Sequence, residues 1–190
     1  MDTLEQRIQR VVQEDITIEP YHHEWPQLFE LEKNHLLADL PHGLIYRIEH
    51  FGSTAVPNLS AKPIIDILVG VTSLDHTKRL IVPILESQGY DYFWRPAMFD
   101  SPPYYCWFIK RDGAGRRTHH IHMVDAGFDH WDRLLFRDYL IAFPDVAAIY
   151  NQLKLRLVAA YPNDRVAYTK GKTEFVVRVT ELAKQHYQTA

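Results

Sequence analysis

The sequence is poor in two features that often reveal a function directly. Cysteine occurs once in 190 residues, as Cys106, which excludes an internal disulfide framework and a zinc site built from several thiolates. Its neighbours Tyr105 and Trp107 indicate a small buried residue rather than a reactive nucleophile. Positive charge is not in excess either, because the formal net charge is −3. This balance argues against general electrostatic binding of DNA or RNA.

Long hydrophobic runs are also missing. No segment approaches the roughly 20 consecutive apolar residues that span a bilayer, and the first residues, MDTLEQRIQRVVQED, lack the regions of a secretory signal. We therefore expect a cytoplasmic protein with no membrane partner. With 46% hydrophobic and 24% charged residues in a chain of 190, the composition predicts one globular domain over residues 1–190.

Short apolar stretches alternate with helical ones in the first two thirds of the chain. Strands are predicted near residues 16–21, 44–51, 63–71, 90–94, 104–110 and 118–125, and helices near 24–40 and 74–89. From His130 the pattern is helical, with breaks at Pro144 and at Pro162. The sequence thus predicts an α+β fold, with a mixed sheet and flanking helices over about 16–126 and a helical tail over about 130–188.

One carboxylate interrupts the most apolar of these strands. Asp66 stands within the run IIDILV over residues 64–69, whose continuous apolar character is typical of a strand covered on both faces. An ionised carboxylate there costs several kcal/mol unless it is paired or bound to a cation. Asp66 is therefore either paired with a lysine or arginine, or it is a site carboxylate facing a cleft at the end of the strand.

A Gly-Ser turn precedes this strand. Gly52 allows backbone amides to approach an anion closely, and the hydroxyl of Ser53 can add a hydrogen bond. A Gly-Ser pair alone indicates only a turn. The interval from Ser53 to Asp66, however, can return the chain so that the turn and the carboxylate lie at the same end of neighbouring strands.

This arrangement resembles the nucleotidyltransferase superfamily of DNA polymerase β, in which a Gly-Ser turn is followed by a strand with two alternating carboxylates. More narrowly, the chain resembles the GrpB family of small nucleotidyltransferase-like proteins. The matching segments are 49–57 (EHFGSTAVP), 62–67 (KPIIDI), 119–122 (HHIH), 136–140 (FRDYL) and 167–172 (AYTKGK). The resemblance implies a nucleotidyltransferase fold, Asp66 as the catalytic carboxylate, and no particular substrate.

The resemblance also implies a divalent metal, but the second carboxylate is missing. Position i+2 from Asp66 is Leu68, and one carboxylate alone holds magnesium weakly. His120 and His122 project to one face of their predicted strand and can join Asp66 as metal ligands, which would suit zinc, manganese or iron better than magnesium. The alternative is that both histidines only form structural hydrogen bonds.

The candidate phosphate-binding residues are spread along the chain. They are Gly52, Ser53, Thr54, Lys62, Arg117 and Lys172. A lysine is commonly a solvated surface charge, but Lys62 and Lys172 lie within the segments that carry the resemblance. Gly171 costs about 1 kcal/mol in a helix interior, so we expect it either to start the final helix or to let the chain pass close to a ligand.

Two functions of different classes follow from these residues, and a third remains open. In the first, a metal on Asp66 assists transfer of a nucleotidyl group to a small hydroxyl acceptor. In the second, the same cleft binds a nucleotide or coenzyme phosphate without catalysis, which Leu68 favours. In the third, the site is degenerate and the helical tail binds a partner. The expected ligand is a small phosphorylated molecule or nucleotide, not a nucleic acid, and the sequence leaves the oligomeric state undetermined.

Overall fold

The core of the structure is one five-stranded sheet. The computed structural model describes residues 5–6, 16–98 and 101–188. The strands are β1 (Ile45–Phe51), β2 (Ile65–Val71), β3 (Asp91–Met98), β4 (Ser101–Arg111) and β5 (Arg117–Val124). Their spatial order is β1-β2-β5-β4-β3, with β2 and β5 parallel and all other neighbours antiparallel. The predicted α+β fold with a mixed sheet is confirmed.

Two helical segments cover one face of the sheet. They are α1 (Trp25–Asp39) and α2, which consists of Leu74–His76, a π-helical turn Thr77–Ile81 and Val82–Ser87. Phe29 and Leu36 of α1 and Leu85 of α2 are buried in one cluster with Ile67 of β2 and Met123 of β5. Leu68, on the other side of β2, is also fully buried. Both faces of β2 are therefore covered, as its continuous apolar sequence requires.

Three helices follow the sheet and pack beside the turn after β1. They are α3 (Asp132–Ala142), α4 (Pro144–Ala160) and α5 (Arg165–Gln188). The predicted breaks are confirmed: Pro144 is the first residue of α4, where its fixed φ and missing N–H are tolerated, and Asp164 caps α5 by accepting from Ala167 N at 2.9 Å. Val56 and Leu59 pack against Tyr150 of α4 and Phe175 of α5. This contact brings α4 and α5 to the end of β1.

A second apolar cluster covers the remaining sheet face. It includes Phe51 of β1, Leu68 of β2 and Trp107 of β4, and it is closed by Phe128 and by Leu134 of α3. Cys106 points to the opposite face, where it is fully buried, and burial raises the pKa of its thiol to about 11. Among the described helices, none combines the length and apolar character needed to cross a membrane.

Three strand predictions differ from the structure. Residues 16–21 form no strand. Glu19 makes a single antiparallel bridge with Ala61, with both N···O distances at 2.9 Å, and Pro20 has no N–H with which to extend the ladder. Strands β3 and β4 are longer than predicted because they form an antiparallel pair with each other as far as Met98 and Ser101.

Candidate functional site

The turn after β1 approaches Asp66 very closely. Gly52 has φ +75° and ψ −172°, a combination that is open almost only to glycine. A Cβ atom on Gly52 would lie 2.5 Å from Asp66 Oδ2, so the hydrogen of glycine is what allows the contact. Phe51 and Asp66 are also paired in the register of β1 and β2. The turn and the carboxylate that the sequence predicts to be neighbours therefore lie together, at the same end of β1 and β2.

Thr54 is the buried residue of this turn, and its hydroxyl is already engaged. The hydroxyl donates to the carbonyl of Ile64 at 3.4 Å and lies 3.0 Å from His50 Nε2. Since the hydroxyl has a single proton, His50 Nε2–H is the donor in the second bond. Burial lowers the pKa of His50 to about 4, which keeps its ring neutral. Thr54 therefore holds the turn against the start of β2, while Ser53 and Thr54 both line the adjoining cavity.

Asp66 is paired with a histidine and not with the lysine or arginine that was one alternative. Asp66 and His120 are opposite each other in the parallel register of β2 and β5, and Asp66 Oδ1 lies 3.0 Å from His120 Nδ1. Burial lowers the pKa of His120 despite the neighbouring carboxylate, so the imidazole is neutral and donates Nδ1–H to Asp66. The lone pair on His120 Nε2 then faces Arg117 Nη1, a donor, at 3.5 Å.

The predicted metal-ligand set is also close in space. Asp66, His120 and His122 each offer one ligand atom, and these atoms lie within 4.8 Å of one another. His122 is buried, and its Nδ1 has no hydrogen-bond partner among the described residues. Two neutral imidazoles and one carboxylate form a donor set that fits zinc or manganese. His119, by contrast, packs on the opposite face, where its Nδ1 is 3.0 Å from Thr118 Oγ1.

A small cavity of about 180 Å³ adjoins Asp66 on the side of the helical tail. Its cationic lining residues are Lys62, Lys154, Arg165 and Lys172. The ammonium groups of Lys62 and Lys172 lie 4.3 Å and 4.8 Å from the centre of the Tyr168 ring. Three segments distant in sequence thus direct positive charge into one space.

Burial, together with repulsion between neighbouring cations, lowers the pKa of the lysines in this cavity. Burial is the main cause that lowers the pKa of Lys62 to about 7, and nearby Arg165 and Lys172 lower it further. Burial likewise lowers the pKa of Lys172 to about 8, although Asp66 opposes the shift. Lys154 is 1% exposed, donates to the carbonyl of Ser60, and has its pKa lowered by burial to about 7. The three lysines together bring more positive charge to the cavity than Asp66 balances.

A second, larger cavity of about 740 Å³ continues from the first. The two share Lys62, Ile64 and Arg165, and the larger one is also lined by Arg111, Arg116 and Arg117. Arg117 lines only the larger cavity and lies beside His120, which lines the smaller one. The guanidinium of Arg116 forms an ion pair with Asp112 at 2.8 Å, which assigns it a role in the β4–β5 turn.

Gly171 has a different role from the one predicted. It lies inside α5, which begins at Arg165, so it does not start the helix. A Cβ atom on Gly171 would lie 2.4 Å from Leu157 Cδ2 of α4. The glycine therefore allows two helices to pack closely, a role that the sequence did not predict. Lys172 nevertheless lines the small cavity, because the adjacent helical position faces a different side.

Sequence reasoning missed several residues of the cavity, among them Lys154, Arg165 and Tyr168. Lys154 stands in the run LKLRL of α4, where a lysine is usually a solvated residue of an amphipathic helix. Arg165 and Tyr168 are placed by the first turns of α5. Tyr168 lies within the segment 167–172 that carries the family resemblance, and that was the available signal.

Comparison with known proteins gives consistent matches along most of the chain. The family described as GrpB protein matches residues 15–182. A UPF0157 protein of Pseudomonas aeruginosa is 45% identical over 158 residues, which cover 82% of this chain and 62% of that protein. The glutamate-rich protein GrpB of Alkalihalophilus pseudofirmus is 39% identical over 153 residues, 80% of this chain and 86% of that protein. The match thus spans less than two thirds of the Pseudomonas protein.

A solved structure has the same architecture. The crystal structure of conserved protein GrpB from Enterococcus faecalis has a TM-score of 0.77 and 33% sequence identity. The match covers 90% of this chain and 99% of the Enterococcus chain. The order of sheet and helical tail described above is therefore also found in an experimentally solved relative.

Proposed function

The chain belongs to the GrpB family, and from the charges around its cleft we propose that it binds the phosphate groups of a nucleotide or coenzyme. The observation that carries this proposal is the imbalance of charge at the small cavity. Among the described lining residues, the three lysines Lys62, Lys154 and Lys172 are balanced by a single carboxylate, that of Asp66. Buried cations repel one another and lose hydration, so an anionic ligand is the missing component that would stabilise the arrangement.

The dimensions of the two cavities support a phosphorylated small molecule. The small cavity, about 180 Å³, suits one or two phosphate groups, whereas complete small-molecule sites are roughly 300–1,000 Å³. The adjoining space of about 740 Å³ has room for the remainder of a nucleotide. Lys62 and Arg165 line both spaces and would contact phosphates at their junction.

Calorimetric titration with a nucleoside triphosphate tests the proposal. Lys172→Met keeps most of the apolar stem and removes the charge, so we expect the variant to fold and to bind about tenfold or more weakly. Lys170→Met is the matched control, because Lys170 is exposed on the same helix and does not line the cavity. Equal affinity of all three proteins, or no binding by the wild type, would contradict the proposal.

Transfer of a nucleotidyl group is a second candidate function, favoured by the donor set near Asp66. Asp66, His120 and His122 are the residues that would hold a divalent metal, which would supply charge neutralisation at the phosphates. Lys62 and Lys172 are suited to hold the departing phosphates in the small cavity. Leu68 supplies no second carboxylate and favours binding without catalysis, so the reaction requires its own test.

Metal content provides that test, because metal binding precedes any metal-assisted transfer. After dialysis against zinc or manganese, we expect about one equivalent in wild type and in His119→Ala, and much less in His122→Ala. His119 is the control because it stands three residues away on the opposite face of the same strand. Negligible metal in all three proteins would rule out the metal-assisted reaction while leaving phosphate binding intact.

A further inference from the structure

Two guanidinium groups lie over aromatic rings on the sheet face beyond Asp66. Arg95 of β3 lies over the ring of Trp107, 4.5 Å from its centre, and Arg133 of α3 lies over Phe51 at 5.9 Å. Both arginines are exposed, and within the described part of the chain neither forms an ion pair. One carboxylate, that of Asp66, lies nearby. Two guanidinium groups beside one carboxylate leave an excess of positive charge on this face.

Buried polar atoms without hydrogen-bond partners lie beneath these groups. Among the described residues, Trp107 Nε1 and His130 Nε2 are buried and unpaired, and both side chains are 5% exposed or less. The rings of Trp107 and His130 both contact His122, with centroid distances of 6.2 Å and 5.7 Å. Buried polar groups in native proteins nearly always have a hydrogen-bond partner. Two neighbouring nitrogen atoms without one therefore indicate a ligand or an ordered water.

Neither the two arginines nor Trp107 and His130 line the small lysine-lined cavity. Trp107 is paired in register with His122, which is paired with Leu68. Leu68 is two residues along β2 from Asp66, a displacement of roughly 7 Å at the rise of a strand. The small cavity lies in the other direction, around Lys62 and Ile64. Asp66 therefore stands between two groups of positive charge.

We infer that Arg95, Arg133, Trp107 and His130 form a second anion subsite, which takes the carboxylate of a small organic acid. The guanidinium and indole N–H groups are donors only, so they require an acceptor group on the ligand. A planar carboxylate matches the paired N–H groups of a guanidinium in geometry as well as charge.

The subsite suggests the chemical class of the acceptor in the transfer reaction. A ligand with its carboxylate at Arg95 and Arg133 and a hydroxyl at its other end would present that hydroxyl toward Asp66. The role of this subsite in holding the acceptor rests on the proposed nucleotidyl transfer. The binding of a carboxylate there does not rest on it. The two can therefore fail separately.

Benzoate is a suitable probe, and the indole N–H of Trp107 reports on it directly. In a two-dimensional amide NMR titration, we expect benzoate to shift the Trp107 indole signal in a saturable manner and leave that of Trp25, buried on the opposite face, unchanged. Trp107→Phe assigns the signal. Arg95→Met and Arg133→Met should each weaken binding by about tenfold, and their amide spectra verify that both variants fold.

Three controls distinguish this subsite from nonspecific binding of an aromatic ring or of any anion. Benzyl alcohol has a similar shape without the charge and should not shift the signal. Arg178→Met removes another guanidinium that lies over a ring, that of Phe175, and should bind benzoate like wild type, as should Lys170→Met. No saturable shift, equal shifts from benzyl alcohol, unchanged affinity in both arginine variants, or preferential binding of inorganic phosphate would overturn the inference. If the wild type binds benzoate but no nucleoside triphosphate, the proposed phosphate-binding function is refuted and the carboxylate subsite is not.

Discussion

At the scale of the residue, the contact between Gly52 and Asp66 decides where the carboxylate points. The backbone of Gly52 has a conformation that residues with a side chain rarely adopt, and Asp66 Oδ2 occupies the space of a Cβ atom. The turn is therefore in direct contact with the carboxylate that pairs with His120. Any atom added at position 52 must move the backbone, the carboxylate, or both.

A comparison of two alanine variants isolates this contact. Gly43 and Gly52 both have positive φ, but a Cβ atom on Gly43 would meet nothing within 4 Å. We expect Gly43→Ala to cost about 1 kcal/mol of unfolding free energy, from backbone strain alone. Gly52→Ala should cost about 3 kcal/mol or more, because the clash with Asp66 is added.

Chemical denaturation of the two variants measures the difference, and titration with a nucleoside triphosphate gives a second reading. Gly52→Ala should also weaken ligand binding, since the carboxylate is displaced, whereas Gly43→Ala should not. Equal costs for the two variants would mean that the turn relaxes away from Asp66 and does not hold it.

The sequence identified some residues of this site and could not identify others. Asp66 was detectable because a carboxylate in an apolar strand requires a partner, and Gly52 because turns next to strands use glycine. Lys154 was not, because its neighbours Leu153 and Leu155 give the ordinary pattern of an amphipathic helix. Only the packing of α4 against the segment around Ser60 makes this lysine a buried one.

At the scale of the element, proline and glycine had different predictive value. Pro144 and Pro162 mark helix breaks through a local effect, the missing N–H, and both breaks were predicted correctly. Gly171 acts through its contact with Leu157 on another helix. Its packing role depends on which helices are neighbours, which the sequence around it does not specify. The prediction that Gly171 starts the final helix was therefore wrong.

The contact between α4 and α5 can be measured with a double-mutant cycle. Alanine favours a helix by about 1 kcal/mol over glycine, but in wild type the added methyl group at position 171 meets Leu157. We expect Gly171→Ala to be stabilising in the Leu157→Ala background and less favourable by about 1–3 kcal/mol in the wild-type background. Thermal unfolding of the four proteins gives the coupling energy. A coupling near zero would show that Leu157 rotates away without cost.

At the scale of the whole molecule, the buried ammonium of Lys154 links stability to pH. Its pKa is about 7 in the folded protein against 10.5 for the ordinary value. Between these values the unfolded chain binds the additional proton, so the free energy of unfolding rises with pH across this window. Below pH 7 both states are protonated, and the full cost, about 5 kcal/mol, is present.

Lys154→Met should therefore be more stable than wild type near pH 6.5, by about 3 kcal/mol once the lost hydrogen bond to Ser60 is included. Its stability should also rise less steeply between pH 7 and pH 9.5. Urea unfolding across this range is the measurement, and Lys170→Met should retain the wild-type slope. Above this range buried tyrosines such as Tyr168, with a pKa raised to about 12, oppose the increase. Parallel curves for Lys154→Met and wild type would contradict the assignment.

The cleft is assembled from segments that lie far apart along the chain, and this has a consequence for biosynthesis. The turn at Gly52, the strands carrying Asp66 and His120, and the helix carrying Lys172 leave the ribosome in that order. Translation proceeds at roughly 5–20 residues per second, so α5, which ends at Gln188, is completed several seconds after β5, which ends at Val124. A nascent chain with a finished sheet therefore still lacks one wall of its cleft. Ligand present in the cell can stabilise only chains whose last helix has docked.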